Sequence, residues 1–212
     1  MEYNSLLNIV GNDPVFETSL LFAGKTDPAN ARLQLARWVT AGRVIRLRRG
    51  LYSIAPPYNK SRPHPFLVAN RLQPASYVSL QTALALHGLI PDTVNRVTSV
   101  TAGRPEELDT PVGSFEFRHV KPGLLFGYRS MDVSDQKVLV ALPEKALLDL
   151  IYLQPGGESK EYLAGLRLQN LDTLDMPRLE QLAARFGSPK MCLAVKNISL
   201  LSKSEEGGYE DL

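Results

Sequence analysis

Residues 28–41 carry the clearest amphipathic pattern of the chain, and this pattern predicts one α-helix. Four apolar side chains recur at the spacing i, i+4, i+7 and i+8, which places them on a single helical face. These side chains are Ala31, Leu35, Trp38 and Val39. Asp27 suits the N-cap position before Pro28, which is tolerated at the first helical position, and Gly42 suits the end of the helix.

The other side of the predicted helix carries side chains suited to contact with DNA. At about 100° per residue, four positions point away from the apolar face: Asn30, Leu33, Arg37 and Thr40. Arg32 and Gln34 lie on the flanks of the apolar face. Asparagine, glutamine and arginine contact base edges or phosphates in protein–DNA complexes, and Leu33 could contact a thymine methyl group. Taken alone, the same pattern is also typical of an ordinary surface helix.

An arginine-rich β-hairpin is predicted directly after this helix, in residues 43–54. If Arg49 and Gly50 form the turn, alternation places Arg46 and Arg48 on one face, with Arg49 at the tip. The other face then holds Ile45, Leu47, Tyr52 and Ile54, which are expected to pack on Trp38. A bulge or a register shift of one residue is the alternative, because Arg-Gly is not a favoured pair for a tight turn. Four arginines between residues 43 and 49 repel one another unless a polyanion neutralises them.

The rest of the pattern predicts two helices before this unit and a mixed region after it. The early helices are expected at 2–10 and 14–23. After the proline-rich residues 56–65, helices are expected at 65–73, 76–89, 142–155, 159–168, 176–186 and 189–202, and strands at 95–103, 113–120, 124–131 and 137–141. The fold class is therefore α+β, with an N-terminal winged helix-turn-helix followed by a larger helix-rich domain around a small sheet.

The domain boundaries follow from the same pattern. Residues 1–58 are expected to form the winged helix-turn-helix domain, and residues 64–203 the larger α+β domain. Residues 204–212 form an acidic, glycine-containing tail that is expected to be disordered.

The charge distribution supports a polyanionic partner for the N-terminal part. The chain carries a net charge of only +2, but residues 1–62 hold nine Lys/Arg and four Asp/Glu, whereas residues 63–212 hold fifteen and eighteen. Between residues 25 and 62, Asp27 alone opposes nine basic residues. Such local asymmetry is typical of a segment that meets nucleic acid.

Composition otherwise predicts a cytoplasmic protein without a membrane segment. No run approaches 18 consecutive apolar residues, and the N-terminus lacks a basic segment followed by an apolar one. Cys192 is the single cysteine, so no internal disulfide can form, and it is expected to be a small buried hydrophobe. No motif predicts a cofactor or a metal ion.

Signs of enzymatic activity are few, and the sequence predicts that the chain is not an enzyme. The three histidines, His64, His87 and His119, lie far apart in the sequence, and His87 is expected to interact with carbonyl groups at a helix end. Asp109, Glu116 and Arg118 resemble the spaced residues of metal-dependent nucleases only weakly, and an ordinary strand explains them. Glu144, Lys145 and Asp149 are expected to have a structural role, and the alternative is an exposed face for a partner or RNA.

Three blocks of the sequence are informative in combination: RVIRLRRGLYSI (43–54), SYVSLQTALALHGLIP (76–91) and PEKALLDLIYL (143–153). Together they resemble the AbiEi-type antitoxins of bacterial type IV toxin–antitoxin systems. The resemblance implies an N-terminal winged helix-turn-helix that binds operator DNA and represses its own operon. It also implies a C-terminal domain that neutralises a nucleotidyltransferase-like toxin without a tight complex.

The resemblance places the DNA-contacting elements on the helix from Asn30 to Thr40 and on the wing arginines Arg46, Arg48 and Arg49. The predicted partners are double-stranded operator DNA, on which the chain could dimerise, and the toxin as a functional partner. No membrane partner is expected. Two alternatives stay open: a winged-helix module that binds an acidic protein, and a stand-alone transcription regulator with no cognate toxin.

Overall fold

A computed structural model describes residues 2–22, 27–92 and 95–207 of the chain and shows an α+β fold. This confirms the α+β class that the sequence predicts. Within these ranges, no helix is both long and apolar enough to cross a lipid bilayer.

The N-terminal elements combine short helices with a three-stranded antiparallel sheet. In chain order they are α1 (Tyr3–Val10), β1 (Phe16–Glu17), a 3-10 helix (Thr18–Phe22), α2 (Pro28–Thr40), β2 (Val44–Arg48) and β3 (Leu51–Ile54). The strand order in the sheet is β1-β3-β2. Helix α2 has the predicted ends, because the Asp27 carboxylate accepts a hydrogen bond from the Asn30 amide at 3.1 Å and Gly42 has a φ of +68°.

The helix predicted at 14–23 is wrong. Phe16 and Glu17 instead form strand β1, and a 3-10 helix follows to Phe22. The reason is tertiary, since Phe16 is buried opposite Tyr52 of β3 and the two rings stack with their centroids 5.9 Å apart. Ala23, the last residue of the predicted helix, lies outside the described residues.

The hairpin β2–β3 contains a bulge that changes the predicted register. The turn holds Arg49 and Gly50 as expected, and Arg48 lies opposite Leu51. Beyond Leu47, however, the pairs are Arg46 with Tyr52, Ile45 with Ser53, and Val44 with Ile54. The extra residue therefore shifts every later pair by one position, which is the alternative that the Arg-Gly turn left open.

The remaining elements form a six-stranded mixed sheet covered by helices. In chain order they are α3 (Pro65–Leu72), β4 (Ser76–Val78), α4 (Leu80–Leu86), β5 (Arg96–Thr101), β6 (Glu106–Thr110), β7 (Gly113–His119), a 3-10 helix (Pro122–Leu124), β8 (Tyr128–Val133), β9 (Gln136–Ala141), α5 (Pro143–Leu153), α6 (Lys160–Gly165), a 3-10 helix (Leu171–Thr173), α7 (Met176–Ala184) and α8 (Pro189–Gly207). The strand order is β6-β7-β5-β4-β9-β8. The pairs β5–β7 and β4–β9 are parallel, and the other pairs are antiparallel.

Three predictions for this region need correction. The helix predicted at 76–89 begins only at Leu80, because Ser76–Val78 forms the buried strand β4 between β5 and β9. Periodicity cannot distinguish a short, fully buried strand from a helix. The edge strand β6 was not predicted, and its mostly exposed, charged sequence gives no strand pattern. Residues 124–127 precede β8 rather than belonging to it.

Helix α8 also differs from the prediction, because it continues to Gly207 and so includes the first part of the predicted tail. The rest of that tail, residues 208–212, lies outside the described residues. Cys192, expected to be buried, is exposed on this helix.

Two hydrophobic clusters stabilise the fold, and the hairpin lies between them. The smaller cluster contains Trp38 and Leu35 of α2 together with Val44 and Ile54 of the hairpin. The larger cluster surrounds the six-stranded sheet and α5, and it also includes Val15, Leu47 and Leu51 from the N-terminal elements. Strand β2 consequently runs close to β6, the edge strand of the larger sheet.

The connection between the two sheets is fixed by the side chain of Gln136, at the start of β9. Its oxygen accepts from the His64 amide at 2.9 Å, and its nitrogen donates to the Arg62 carbonyl at 2.8 Å. Gln136 is itself buried, so these hydrogen bonds are shielded from water.

Candidate nucleic-acid interface

Helix α2 presents one apolar and one polar face, as its sequence predicts. Ala31, Leu35 and Trp38 are buried in the smaller cluster, and Val39 is partly buried against it. The exposed side chains of the outer face and its flank are Asn30, Arg32, Leu33, Arg37 and Thr40, and Gln34 is half-buried. Arg37 donates to the Gln34 Oε1 atom at 3.4 Å, so these two side chains lie together.

The hairpin arginines are exposed, but they do not share one face. Arg46 lies opposite Tyr52, whereas Arg48 lies opposite Leu51, and neighbouring residues of β3 point to opposite sides of the sheet. The prediction that Arg46 and Arg48 share a face is therefore wrong, and the cause is the bulge at Leu47. Arg46, Arg48 and Arg49 take part in none of the ion pairs between described residues.

The apolar residues of the hairpin are also divided between two sides. Tyr52 and Ile54 belong to the cluster of Trp38, as predicted. Ile45 and Leu47, which were expected on the same side, pack in the larger cluster instead. Both sides of this hairpin are therefore anchored, and its arginines project from a fixed base.

The hairpin tip is held by the 3-10 helix that follows β1. The Thr18 amide donates to the Gly50 carbonyl at 2.9 Å, and the Thr18 hydroxyl donates to the same oxygen at 3.3 Å. Gly50 has a φ of +87°, a backbone conformation that side chains other than glycine rarely adopt. The turn that carries Arg49 is thus fixed by backbone geometry and by hydrogen bonds.

Two further groups of cations near this region were not selected from the sequence. Arg43 places its guanidinium group 5.3 Å from the centroid of the Tyr3 ring, and the Tyr3 hydroxyl donates to the Arg43 carbonyl at 3.0 Å. Lys60 and Arg62 are exposed in the connection that follows the hairpin. Arg43 is one of the four arginines counted between residues 43 and 49, whereas only the charge count of residues 25–62 pointed to Lys60 and Arg62.

The charged residues of helix α5 do not form a surface. Glu144, Lys145 and Asp149 are all buried, with relative exposures of 1%, 0% and 0%. This burial excludes the alternative of an exposed face for a partner or RNA. Glu144 accepts from the Asp175 amide at 3.0 Å, and so connects the start of α5 to the start of α7.

Lys145 and Asp149 form an ion pair inside the larger cluster, next to the hydroxyl groups of Tyr77 in β4 and of Ser79, which follows β4. The Lys145 ammonium group donates to Asp149 Oδ1 and, at 2.9 Å, to the Tyr77 hydroxyl. Asp149 Oδ2 accepts from the Tyr77 hydroxyl at 2.9 Å and from the Ser79 hydroxyl at 2.8 Å. Burial lowers the pKa of Lys145 and raises the pKa of Asp149, and the attraction between the two charges opposes both shifts.

His87, His119 and Glu116, which were considered for catalysis, have structural partners. His87 Nε2 lies 2.9 Å from the Ala141 carbonyl of β9 rather than from a carbonyl of its own helix, and His119 Nδ1 lies 2.8 Å from the Gly103 carbonyl. Arg118 donates to Glu116 at 3.3 Å. Within residues 2–22, 27–92 and 95–207, no group of three or more histidine, cysteine or acidic side chains could hold a metal ion.

Comparison with known proteins gives a likeness of fold alone. No protein-family model matches the chain, and no curated protein is similar to it. Among solved structures, the crystal structure of the RV2827C protein from Mycobacterium tuberculosis is similar, with a TM-score of 0.55 and 16% sequence identity. The superposition covers 92% of this chain and 75% of that chain.

Proposed function

We propose that the chain binds double-stranded DNA through an N-terminal winged helix-turn-helix and acts as an antitoxin and autorepressor of a toxin–antitoxin operon. In this proposal α2 is the recognition helix and the hairpin β2–β3 is the wing. The order of a helix, a short strand, a 3-10 helix, a helix and a hairpin supports the proposal, since winged helix-turn-helix domains have this arrangement.

The observation that carries the proposal is that the wing arginines are exposed and are not neutralised by acidic side chains of the described residues. Arg46, Arg48 and Arg49 are exposed, have no acidic partner among the described residues, and project from a hairpin anchored on both sides. Arg46 and Arg48 lie on opposite faces of the hairpin and Arg49 lies at its tip, and DNA phosphates that meet these cations would neutralise them with release of counterions. Because both sides of the hairpin already pack against the protein, little further ordering of the hairpin is needed for binding.

Helix α2 supplies the surface that would enter the major groove. Its outer side chains include the amide of Asn30 and the guanidinium group of Arg37, which have the hydrogen-bonding groups to contact adenine and guanine edges. Arg32 and Gln34, on the flanks of this face, would contact phosphates or neighbouring bases.

The antitoxin part of the proposal rests on the resemblance of blocks 43–54, 76–91 and 143–153 to the AbiEi-type family. In that resemblance, the larger α+β region neutralises a nucleotidyltransferase-like toxin without a tight complex. The buried charges of α5 do not supply a surface for this role, so an interaction would involve other side chains of the region.

Fluorescence anisotropy titrations of duplex DNA at several salt concentrations test the DNA-binding proposal. Replacement of Arg46, Arg48 and Arg49 with alanine should weaken binding and reduce the slope of log K against log salt by up to about 2.7, or about 0.9 per phosphate contact. The charge-matched control replaces the exposed residues Arg104, Lys121 and Arg129 with alanine. Equal losses of affinity in both variants would show that the wing arginines act only through the net charge of the protein. An unchanged slope in the wing variant would contradict the proposal.

The two biological roles are tested separately with the neighbouring genes. A promoter–reporter fusion should be repressed by the wild-type chain and released by the wing variant. Co-expression with an adjacent nucleotidyltransferase-like gene should restore growth with both chains, because the wing is not part of the neutralising region. Repression without any rescue of growth would instead support a stand-alone regulator.

A further inference from the structure

Leu33 is an apolar side chain at the centre of the proposed DNA-contacting face. Its relative exposure is 52%, although it lies between the polar residues Asn30, one turn before, and Arg37, one turn after. A single exposed leucine needs no explanation on an ordinary surface. In the major groove, however, the 5-methyl group of thymine is the apolar feature that distinguishes base pairs, so an apolar side chain there gives sequence preference.

The helical geometry places these three side chains at separate base pairs. From Asn30 to Arg37 the helix rises about 10.5 Å, at 1.5 Å per residue. This length corresponds to roughly three base-pair steps of 3.4 Å. At about 100° per residue, the three side chains lie within an arc of about 60°, so one edge of the helix presents all of them.

The start of α2 favours contact by these side chains rather than by backbone amides. The Asp27 carboxylate accepts from the Asn30 amide at 3.1 Å, which places a negative charge where a phosphate would otherwise bind. On the opposite side, Ala31, Leu35 and Trp38 fix the helix in the smaller cluster. The outer face therefore meets DNA with a defined orientation.

We propose that Leu33 is a specificity-determining residue that contacts the 5-methyl group of a thymine, between a base contacted by Asn30 and a base contacted by Arg37. The inference rests on the proposed DNA-binding function and adds to it the identity of one base. It predicts a preferred half-site with a thymine flanked, within about one to two base-pair steps on each side, by positions for adenine and guanine.

The test begins with selection of the preferred sequence from a random duplex pool by the full wild-type chain. Each thymine of the selected duplex is then replaced, one at a time, by deoxyuridine, which removes only the 5-methyl group. At one position this change should weaken wild-type binding about fourfold, the ratio expected for loss of one buried methyl group. Leu33→Ala should bind the thymine duplex about as weakly and should not respond to deoxyuridine at that position.

The matched control is Ile9→Ala, because Ile9 is a similarly exposed apolar residue, at 45%, on helix α1. This variant should keep the full response to deoxyuridine, and circular dichroism should show unchanged folding for both variants. Sequence-selective binding without any sensitive thymine, or an equal response in Leu33→Ala and wild type, would overturn the inference alone. Absence of salt-dependent duplex binding by the wild-type chain would overturn the proposed function as well.

Discussion

Replacement of Asp149 with alanine should destabilise the protein strongly, although Asp149 contacts no proposed ligand. The change leaves the Lys145 ammonium group inside the larger cluster with the Tyr77 hydroxyl as its remaining hydrogen-bond partner. It also removes the acceptor of the Tyr77 and Ser79 hydroxyl groups. The perturbation therefore acts on four side chains that connect strand β4 to helix α5.

The expected loss follows from the burial of this ion pair. Removal of one partner of a buried pair costs about 3–5 kcal/mol, because the other charge stays buried without compensation. Folded domains have a total stability of about 5–15 kcal/mol, so the loss is a large fraction of it. The exposed ion pair between Lys137 and Asp132, at 3.5 Å, is the matched control, and Asp132→Ala should cost less than about 1 kcal/mol.

The loss should also depend on pH in a defined direction. Burial already lowers the pKa of Lys145 below its ordinary value of 10.5, and Asp149 opposes this shift, so the variant should lower the pKa further. Because the folded state favours neutral Lys145, the free energy of unfolding decreases as the pH falls below the pKa of this lysine in the unfolded chain. The deficit of Asp149→Ala relative to wild type should therefore be smaller at about pH 9.5 than at about pH 7.

Urea unfolding followed by circular dichroism measures these differences at both pH values. The double variant Lys145→Met, Asp149→Asn carries no charge at either position and keeps a side-chain oxygen for the Tyr77 and Ser79 hydroxyl groups, so it should be more stable than Asp149→Asn alone. The reasoning is refuted if Asp149→Ala loses less than about 1 kcal/mol at pH 7, or if the double variant is no more stable than Asp149→Asn.

Two further predictions concern a glycine and a histidine. Gly11 and Gly127 have φ values of +61° and +68°, but only at Gly127 would an added Cβ lie 3.1 Å from the Lys145 side chain. Both alanine variants should lose about 1–2 kcal/mol for the left-handed backbone, and Gly127→Ala a further 1–3 kcal/mol, so equal losses in thermal unfolding would contradict the packing argument. The His64 Nδ1 atom accepts a hydrogen bond from the Phe66 amide at 3.2 Å, and burial lowers the pKa of His64 below 6.5. The contribution of neutral His64 to the free energy of unfolding is therefore complete above pH 6.5 and is lost as the pH falls below that value. His64→Asn keeps an N-cap acceptor and should reduce the change in the free energy of unfolding between about pH 7.5 and pH 5.5. An unchanged pH profile would refute the role of His64 as a titrating N-cap.

Local sequence was sufficient for the elements whose stability is local. Helix α2 has an N-cap, a proline at its first position, a spaced apolar face and a glycine after its end, and all of these lie within 16 residues of one another. The same holds for helix α5, which occurs where its pattern predicted it. Strand β7 also occurs where its alternation predicted it, although it pairs with β5 and β6. The α+β fold class followed from the order of these patterns.

Two elements that depend on distant partners were predicted wrongly. Ser76–Val78 is a strand because β5 and β9 lie on either side of it, although its apolar run suits a helix equally well. Phe16 joins β3 for a similar reason, since its stacking partner Tyr52 is 36 residues away in the sequence. Propensity gave no indication of either pairing.

For the candidate interface, the sequence by itself determined which side chains α2 turns outward and that the hairpin turn contains Arg49 and Gly50, because helical periodicity and turn chemistry are local properties. Only the tertiary structure decided the rest. The bulge at Leu47 divides the hairpin between two clusters, and the hydroxyl groups of Tyr77 and Ser79 allow the charges of Lys145 and Asp149 to be buried. A charged residue is exposed unless a partner elsewhere in the chain compensates it, and no local pattern reveals that partner.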